Sequence, residues 1–331
     1  MASGSRSVAV GLVAVGLICQ EVGASLAVLL FPQMGPLGMV MLRLVFSALI
    51  LTLIARPSLR GHSAHAWRAA LMLGGVLALM NGLFYLALRE LPLGVTVTIE
   101  VLGPLALAVA VARSRAAWLW AGLALLGILA LGGGGWDRLT VTGVLFALGA
   151  AASWAGYILA SARVGQEFER LDGLALAMIF GAVLSLPFGI VDAGASLLRL
   201  DLVALGAAVA VLSSTIPYAL ELIALRRLAP AVFGVLMSLG PATASLAGFL
   251  LLGQHLSVLE VIGIALVVIA SAGAVWAGRD RPGEPTLGTP TTPVPTPVSR
   301  RSPQRRMAAW TGAPLPQTPP DPWVAPTLDT N

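Results

Sequence analysis

Ten apolar runs, each about as long as a bilayer is thick, constrain the fold of this 331-residue chain more than any other feature. A helix needs about 20 mostly apolar residues to cross a hydrocarbon core of roughly 30 Å. The composition agrees, because 57% of the residues are hydrophobic and 11% are charged, against roughly 25% charged in soluble domains. We therefore predict an all-α integral membrane protein with ten transmembrane helices at residues 7–31, 35–55, 69–88, 93–112, 116–134, 141–162, 173–193, 202–225, 230–252 and 257–278. The first run exceeds the roughly 7–15 residues of a signal-peptide core and is predicted to be a retained span.

The arginines between these runs predict the orientation of the chain. With the N-terminus in the cytoplasm, the outer loops contain Arg89, Arg138 and Arg199, and the inner side contains Arg6, Arg56, Arg60, Arg68, Arg113, Arg115, Arg163, Arg170, Arg226, Arg227, Arg279 and Arg281. This bias follows the positive-inside rule, so both termini are predicted to be cytoplasmic. Their positions indicate that the arginines responsible for the net charge of +5 are topology signals, and we predict no nucleic-acid partner.

The C-terminal residues 279–331 differ in composition from the rest. They hold 13 of the 22 prolines, in Thr-Pro pairs such as Thr289-Pro290. Such sequences lack the apolar residues that a packed core requires, so we predict an unfolded cytoplasmic tail. Its cluster of Arg300, Arg301, Arg305 and Arg306 is interpreted as a solvated charge run, with contact to anionic lipid headgroups as the alternative.

An internal repeat divides the remaining chain. Residues 87–104 (ALRELPLGVTVTIEVLGP) align with residues 224–241 (ALRRLAPAVFGVLMSLGP) after a shift of 137 positions, with eight of 18 residues identical. Arg89 falls in an outer loop and its counterpart Arg226 in an inner loop, so the repeat of five helices is inserted upside down. We predict two inverted repeats, residues 1–136 and 137–278. Inverted repeats are typical of secondary transporters that bind substrate near the midplane.

Ionisable residues inside membrane spans are costly and are candidate functional groups. We identified four: Glu21, Arg43, Glu100 and Glu221. Glu21 and Glu100 lie too deep to reach water by extending their side chains. Arg43 either extends outward or pairs with Glu21 or Glu100, and Glu221 is either an interfacial partner of Arg226 and Arg227 or part of the site.

Pro104 gives Glu100 the strongest local context. Proline has no N–H, so the carbonyl of Glu100 loses its helical hydrogen bond, and a carboxylate beside a freed carbonyl suits a cation or an ammonium group. Thr96 shares the same helix face. The predicted helix breaks or hinges are Gly103, Pro104, Pro217, Gly240 and Pro241, although prolines also simply kink membrane helices. Further candidate lining residues are Asn81, Trp154, Tyr157 and Tyr218.

Motifs for enzyme chemistry are absent from the sequence. There is no Walker A loop and no H-E-x-x-H motif, and Cys19 is the only cysteine, so no internal disulfide forms. His62 and His65 are interpreted as solvated loop residues and not as a metal site. We predict no enzyme activity, no cofactor and no bound metal.

Four stretches resemble the EamA-type drug/metabolite transporters, and among them the threonine/homoserine exporters. These stretches are GASLAVLLFPQMGPLGMVMLRL (23–44), LPLGVTVTIEVLGPLALA (91–108), ALGAAASWAGYILASARVG (147–165) and AVAVLSSTIPYALELIALRRLAPAVFGVLMSLGPATASLAGFLLLG (208–253). The resemblance implies ten helices in two EamA repeats and outward movement of small amino acids, coupled to proton entry. The chain departs from the family pattern at three places: Gly240-Pro241-Ala242 replaces Glu-Pro-Ala, Gly253-Gln254 replaces Gly-Glu, and Glu21 replaces an uncharged polar residue.

Together these observations predict an exporter in the plasma membrane for threonine- or homoserine-like amino acids or related metabolites. Glu100 is predicted to bind the substrate ammonium group and a proton in alternation, and Arg43 the substrate carboxylate. The alternatives are an exporter of drugs or other metabolites and, more remotely, a membrane enzyme or a channel. A homodimer is compatible with the sequence.

Overall fold

A computed structural model of the chain describes residues 2–112, 115–133, 139–168, 171–225 and 236–277. Within these ranges the regular secondary structure is helical, as the composition predicts. All of these described residues belong to one compact unit, Met1–Gly288. The predicted unfolded tail, residues 279–331, lies outside the described residues.

The described part of the first half forms six helices. They are α1 (Ala2–Met34), α2 (Pro36–Ala55), α3 (Ala64–Glu90), α4 (Leu93–Glu100), α5 (Leu102–Ala112) and α6 (Arg115–Gly133). The third helix begins before the predicted residue 69 because the Ser63 hydroxyl accepts a hydrogen bond from the Ala66 N–H at 3.0 Å and caps the helix. The predicted span 93–112 is interrupted at Val101 and forms two helices.

The described part of the second half also forms six helices. They are α7 (Val141–Glu167), α8 (Asp172–Ala193), α9 (Leu200–Ala210), α10 (Ile216–Leu225), α11 (Gly240–Leu252) and α12 (Val258–Ala277). A π-helical turn, Val211–Thr215, joins α9 to α10 inside the predicted span 202–225. The predicted span 230–252 is represented chiefly by α11, since residues 226–235 lie outside the described part.

The helices have the length and surface of membrane spans. Within the described residues, six helical segments are long and apolar enough to cross a bilayer: Val8–Met34, Pro36–Ala55, Ala64–Glu90, Val141–Glu167, Asp172–Leu198 and Val258–Val275. Four shorter apolar segments, Leu93–Leu107, Trp118–Leu131, Leu200–Thr215 and Gly240–Leu252, correspond to the other predicted spans. Large side chains such as Leu53 (74% exposed) and Val191 (84%) face outward. Such exposed apolar surface requires lipid and not water around the protein.

Helices of the two halves pack chiefly against each other. The most extensive pairs are α3 with α7, α2 with α8, α6 with α12, α3 with α8, α1 with α10 and α4 with α11. Small residues permit the closest approaches: a Cβ atom on Gly74 of α3 would lie 2.5 Å from the carbonyl oxygen of Ala177 in α8. Close backbone contact through small residues is the usual way in which membrane helices associate.

Side chains of the second half cap two helices of the first half. Asp192 Oδ2 accepts hydrogen bonds from the backbone N–H groups of Leu37 at 2.7 Å and Gly38 at 3.3 Å, at the start of α2. Gln254 Oε1 accepts one from the Leu93 N–H at 3.0 Å, at the start of α4. The first N–H groups of a helix have no partner within it, so these caps fix α2 and α4 relative to the second half.

Candidate functional site

A cavity of about 260 Å³ lies among α1, α2, α3, α4, α7 and the start of α11. Its lining combines charged, amide and aromatic side chains with an apolar majority: Leu17, Gln20, Glu21, Ala24, Arg43, Met80, Asn81, Phe84, Val97, Glu100, Val101, Trp154, Tyr157, Met237 and Gly240. Small-molecule sites are typically concave and mostly apolar, with a few polar groups that orient the ligand. The cavity is therefore the candidate substrate site.

Seven of the residues singled out from the sequence line this one cavity. They come from six separate helical segments and are Glu21, Arg43, Asn81, Glu100, Trp154, Tyr157 and Gly240. Glu21 and Arg43 are 2% and 8% exposed, so both lie well below the outer surface of the protein.

Several other predicted residues lie elsewhere. Thr96 is fully buried and its hydroxyl donates to the Pro92 carbonyl at 3.0 Å, so it is engaged with its own helix. Gly103, Pro104, Pro217 and Pro241 are not part of the lining. Tyr218 and Glu221 belong to α10, but their side chains lie outside the described part of the structure.

Glu21 brings a carboxylate with an unsatisfied oxygen to the cavity. Its Oε2 atom is buried and has no hydrogen-bond partner among the described residues. The Glu21 carboxyl is close enough to Glu100 and to Arg43 to interact electrostatically with both. Most buried polar atoms in proteins are hydrogen-bonded, so an unsatisfied carboxylate oxygen at a cavity indicates a place where a ligand group or a proton binds.

Arg43 is held by groups that the Pro217 break makes available. Pro217 has no N–H to donate to the carbonyl four residues earlier, which belongs to Ser213. Arg43 Nη2 donates to this carbonyl oxygen at 3.1 Å, and Nε donates to the Ser214 hydroxyl at 2.9 Å. Arg43 Nη1 donates to the Tyr85 hydroxyl at 3.4 Å, and the guanidinium carbon lies 5.7 Å from the Tyr85 ring centre. These contacts hold the guanidinium inside the membrane domain, beside the cavity.

The helix breaks before the two Gly-Pro pairs occupy equivalent places. The α4 helix ends at Glu100, Val101 forms a turn, and α5 begins at Leu102. In the second repeat, Ser238 and Leu239 form a turn immediately before α11 begins at Gly240. Val101 and Ser238 are 137 positions apart, the spacing of the sequence repeat. Glu100 and Met237 have the same spacing, and both line the cavity.

Eight lining residues were not predicted from the sequence: Leu17, Gln20, Ala24, Met80, Phe84, Val97, Val101 and Met237. Most follow from helical periodicity around residues that were predicted. Leu17, Gln20 and Ala24 share a face of α1 with Glu21, and Val97 lies one turn before Glu100 and Val101. Including the neighbouring residues on the same helix face as each buried charge would have identified them. Tyr85, which anchors Arg43, has no comparable signal beyond its spacing of four residues from Asn81.

The arrangement suits noncovalent binding of a small charged solute. Two carboxylates and one guanidinium face a space bounded by an amide, two aromatic rings and aliphatic side chains. A search of the described residues finds no group of three His, Cys, Asp or Glu side chains placed to hold a metal ion. Carboxylates bind ammonium groups, and a guanidinium binds carboxylates, in charge-assisted hydrogen bonds.

These features together define a multi-pass membrane protein with a cavity lined by buried charged side chains. The sequence profile of the EamA-like transporter family matches residues 141–276. The threonine/homoserine exporter RhtA of Salmonella typhimurium (strain LT2) is 39% identical over 263 residues, which cover 78% of this chain and 88% of that protein. RhtA of Escherichia coli (strain K12) is 39% identical over 260 residues, with the same coverage. The chain belongs to the EamA-like transporter family.

A solved structure described as "Crystal structure of protein" is also similar to this chain. It shares 20% sequence identity with a TM-score of 0.48, and the match covers 83% of this chain and 100% of the other.

Proposed function

We propose that this protein exports threonine- or homoserine-like amino acids, or related small metabolites, across the plasma membrane by proton-coupled alternating access. The observation that carries the proposal is the meeting of Glu100 and Arg43 in one small, mostly apolar cavity. An amino acid carries an ammonium group and a carboxylate. Glu100 binds the first and Arg43 the second, so that both charges are neutralised inside the membrane.

The relatives support the direction and class of transport. Both bacterial proteins compared above are named threonine/homoserine exporters, and the match covers 88% of each. Those names describe exporters and no catalysed reaction, which supports a transporter without enzyme activity. The substrate of this chain is our proposal, because Glu21 and Gly240 both line the cavity where the resemblance leads us to expect different residues.

The proposed architecture is ten transmembrane helices in two inverted repeats, residues 1–136 and 137–278, with both termini in the cytoplasm. The packing supports it. If the first half is exchanged with the second, the pairs α2 with α8 and α6 with α12 each map onto themselves, α3 with α7 maps onto α1 with α10, and α3 with α8 maps onto α2 with α9. The most extensive contacts therefore follow a two-fold pattern, as expected for transporters built from inverted repeats.

Alternating access follows from this pattern. The turns at Val101 and at Ser238 interrupt two symmetry-related spans beside the cavity. Interrupted helices allow one repeat to move against the other around a fixed site. Glu100 releases the ammonium group to the outside and takes up a proton there, so that proton entry drives amino-acid exit.

Export of large lipophilic drugs is the main rival function. Sites for drug-sized ligands usually have volumes of roughly 300–1,000 Å³, and this cavity is about 260 Å³. Its size and its three charged side chains favour a small charged solute over a large apolar one.

The proposal is tested by measuring amino-acid release from cells that overexpress the protein. We expect release of homoserine and threonine to rise with the parent protein and to fall at least about tenfold with Glu100→Gln, which removes a charge-assisted contact worth about 1.5–3 kcal/mol. Glu260→Gln is the matched control, because Glu260 is also buried but does not line the cavity. Unchanged intracellular amino acids, together with a Glu100→Gln variant that behaves like the parent, would contradict the proposal.

A further inference from the structure

We propose that Glu21 makes the cavity select an amino acid with a second ammonium group, a diamino carboxylic acid of net charge +1, over a neutral amino acid of the same size. This inference rests on the proposed function and specifies its substrate class. Two acidic residues are found in the described lining of the cavity. Glu100 binds the ammonium group of a neutral amino acid, and Glu21 then has no partner on the substrate.

The charges of the lining carry the first step. Among the described residues around the cavity, Glu21 and Glu100 are acidic and Arg43 is basic. When bound ammonium groups hold both carboxylates in the ionised form, the three side chains have a net charge of −1. A neutral amino acid satisfies Glu100 with its ammonium group and Arg43 with its carboxylate, and leaves the Glu21 charge unbalanced. A second ammonium group on the substrate balances it.

The hydrogen bonding of α1 carries the second step. Glu21 is 2% exposed, and its Oε2 has no hydrogen-bond partner among the described residues. An ammonium group has three N–H donors and no acceptor. The unsatisfied Oε2 of Glu21, a residue that lines the cavity, is an acceptor for such a group.

The alternative, that Glu21 only stabilises the fold, is not supported by its contacts. A buried acid with a structural role is expected to be hydrogen-bonded, because an unsatisfied buried group costs about 1–3 kcal/mol. The known partner of Glu260 Oε2 is the Ser257 backbone N–H at 2.6 Å. The unsatisfied Oε2 of Glu21 instead lies beside a cavity that admits a small solute.

Homoserine and 2,4-diaminobutyrate provide a matched pair of probes. They share the amino-acid backbone and the side-chain length, and differ by a hydroxyl in place of an ammonium group. Purified protein is reconstituted into liposomes, and counterflow of each radiolabelled probe is measured under the same conditions. Because the two probes are nearly equal in size, the ratio of their rates reports recognition of the second charge.

In the parent protein we expect a preference for diaminobutyrate of at least about tenfold, the ratio that one additional charge-assisted contact supports. In Glu21→Gln the ratio is expected to fall to about one, whatever the absolute rates. Glu260→Gln should keep the parent ratio, since this control residue is equally buried and lies outside the lining. Inhibition of homoserine counterflow by unlabelled diaminobutyrate, compared with threonine at equal concentration, gives the same information from the parent protein alone if Glu21→Gln does not fold.

The outcomes separate this inference from the proposed function. Transport of homoserine without transport of diaminobutyrate, or a folded Glu21→Gln variant with an unchanged ratio, overturns the inference and leaves amino-acid export standing. Transport of neither probe by the parent protein contradicts both.

Discussion

Glu21 and Glu260 are two equally buried glutamates in apolar helices, and their surroundings differ completely. Each is 2% exposed. Glu260 lies in the first turn of α12, where its Oε2 accepts a hydrogen bond from the Ser257 N–H at 2.6 Å and its own N–H donates to the Ser257 hydroxyl at 3.2 Å. This reciprocal pair is a capping box. Glu21 lies in the middle of α1 with Oε2 unsatisfied among the described residues, beside the cavity.

The difference shows that burial alone does not identify a functional acid in a membrane helix. A buried carboxylate is costly unless it is paired or hydrogen-bonded. Glu260 offsets this cost locally, by satisfying backbone groups at a helix end. We expect Glu21 to offset it through Arg43 and through a ligand group bound in the cavity. The partners of a buried acid therefore distinguish a structural role from a binding role.

The largest effect is expected from replacing Arg43, whose positive charge interacts with both Glu21 and Glu100. Arg43→Gln breaks contacts to Ser213, Ser214 and Tyr85, and we expect it to lower the free energy of unfolding by about 3 kcal/mol and to abolish transport. Two double-mutant cycles, measured by thermal unfolding in detergent, test the comparison between Glu21 and Glu260. Arg43→Gln and Glu21→Gln should be coupled by about 1 kcal/mol or more, whereas Arg43→Gln and Glu260→Gln should be additive within about 0.5 kcal/mol.

Equal coupling in the two cycles would contradict this distinction, because it would mean that Arg43 affects both acids through the fold as a whole. Arg43→Lys is a useful second variant, because lysine keeps the positive charge but lacks the planar guanidinium that donates to several acceptors at once.

A smaller effect of opposite sign is expected when the unsatisfied acid itself is removed. Glu21→Met keeps the length of the side chain and replaces the carboxylate with an apolar group. We expect this variant to be more stable than the parent by about 1–2 kcal/mol, because the cost of burying a carboxylate whose Oε2 lacks a hydrogen-bond partner among the described residues exceeds its attraction to Arg43. It should also lose the preference for a second ammonium group. A gain in stability with a loss of function is typical of binding residues.

The measurement is the unfolding temperature of the purified protein without substrate, compared with that of the parent. A clear decrease in the unfolding temperature of Glu21→Met would show that Glu21 has stabilising contacts in the fold, and would place it in the same class as Glu260.

The sequence predicted the apolar helices and most of the charged site, because both depend on local patterns. Long apolar runs require lipid, and buried charges are rare enough to be noticed one by one, so Glu21, Arg43 and Glu100 were identified before their positions in space were known. Pro217 was likewise predicted to be a helix break, and its missing N–H leaves the Ser213 carbonyl without its helical partner. What the sequence did not predict is that Arg43 would occupy this carbonyl, since the two residues lie 170 positions apart and meet only through helix packing.

Other features were missed for reasons that are also physical. Glu260 lies inside the predicted span 257–278 but was not counted among the ionisable residues, although Ser257 and Glu260 have the S-x-x-E spacing of a capping box. The Gln254 cap on the Leu93 N–H joins residues 161 positions apart and has no local signal. Whether the halves are inverted and both termini cytoplasmic stays a prediction, because it depends on how the helices lie in a bilayer.

The smallest expected effect is on Glu260, and it tests the structural side of the comparison. Glu260→Ala leaves the Ser257 N–H without its carboxylate partner, so we expect the free energy of unfolding to fall by about 1 kcal/mol, as for other lost helix caps. Glu260→Gln keeps an acceptor oxygen at the same place and should change stability by less than about 0.5 kcal/mol. Both variants should transport homoserine and diaminobutyrate in the parent ratio, because neither changes the cavity lining. A changed transport ratio in Glu260→Gln would mean that a buried acid outside the cavity lining also affects substrate selection. The hydrogen-bond partners of a buried carboxylate would then not distinguish a structural role from a binding role.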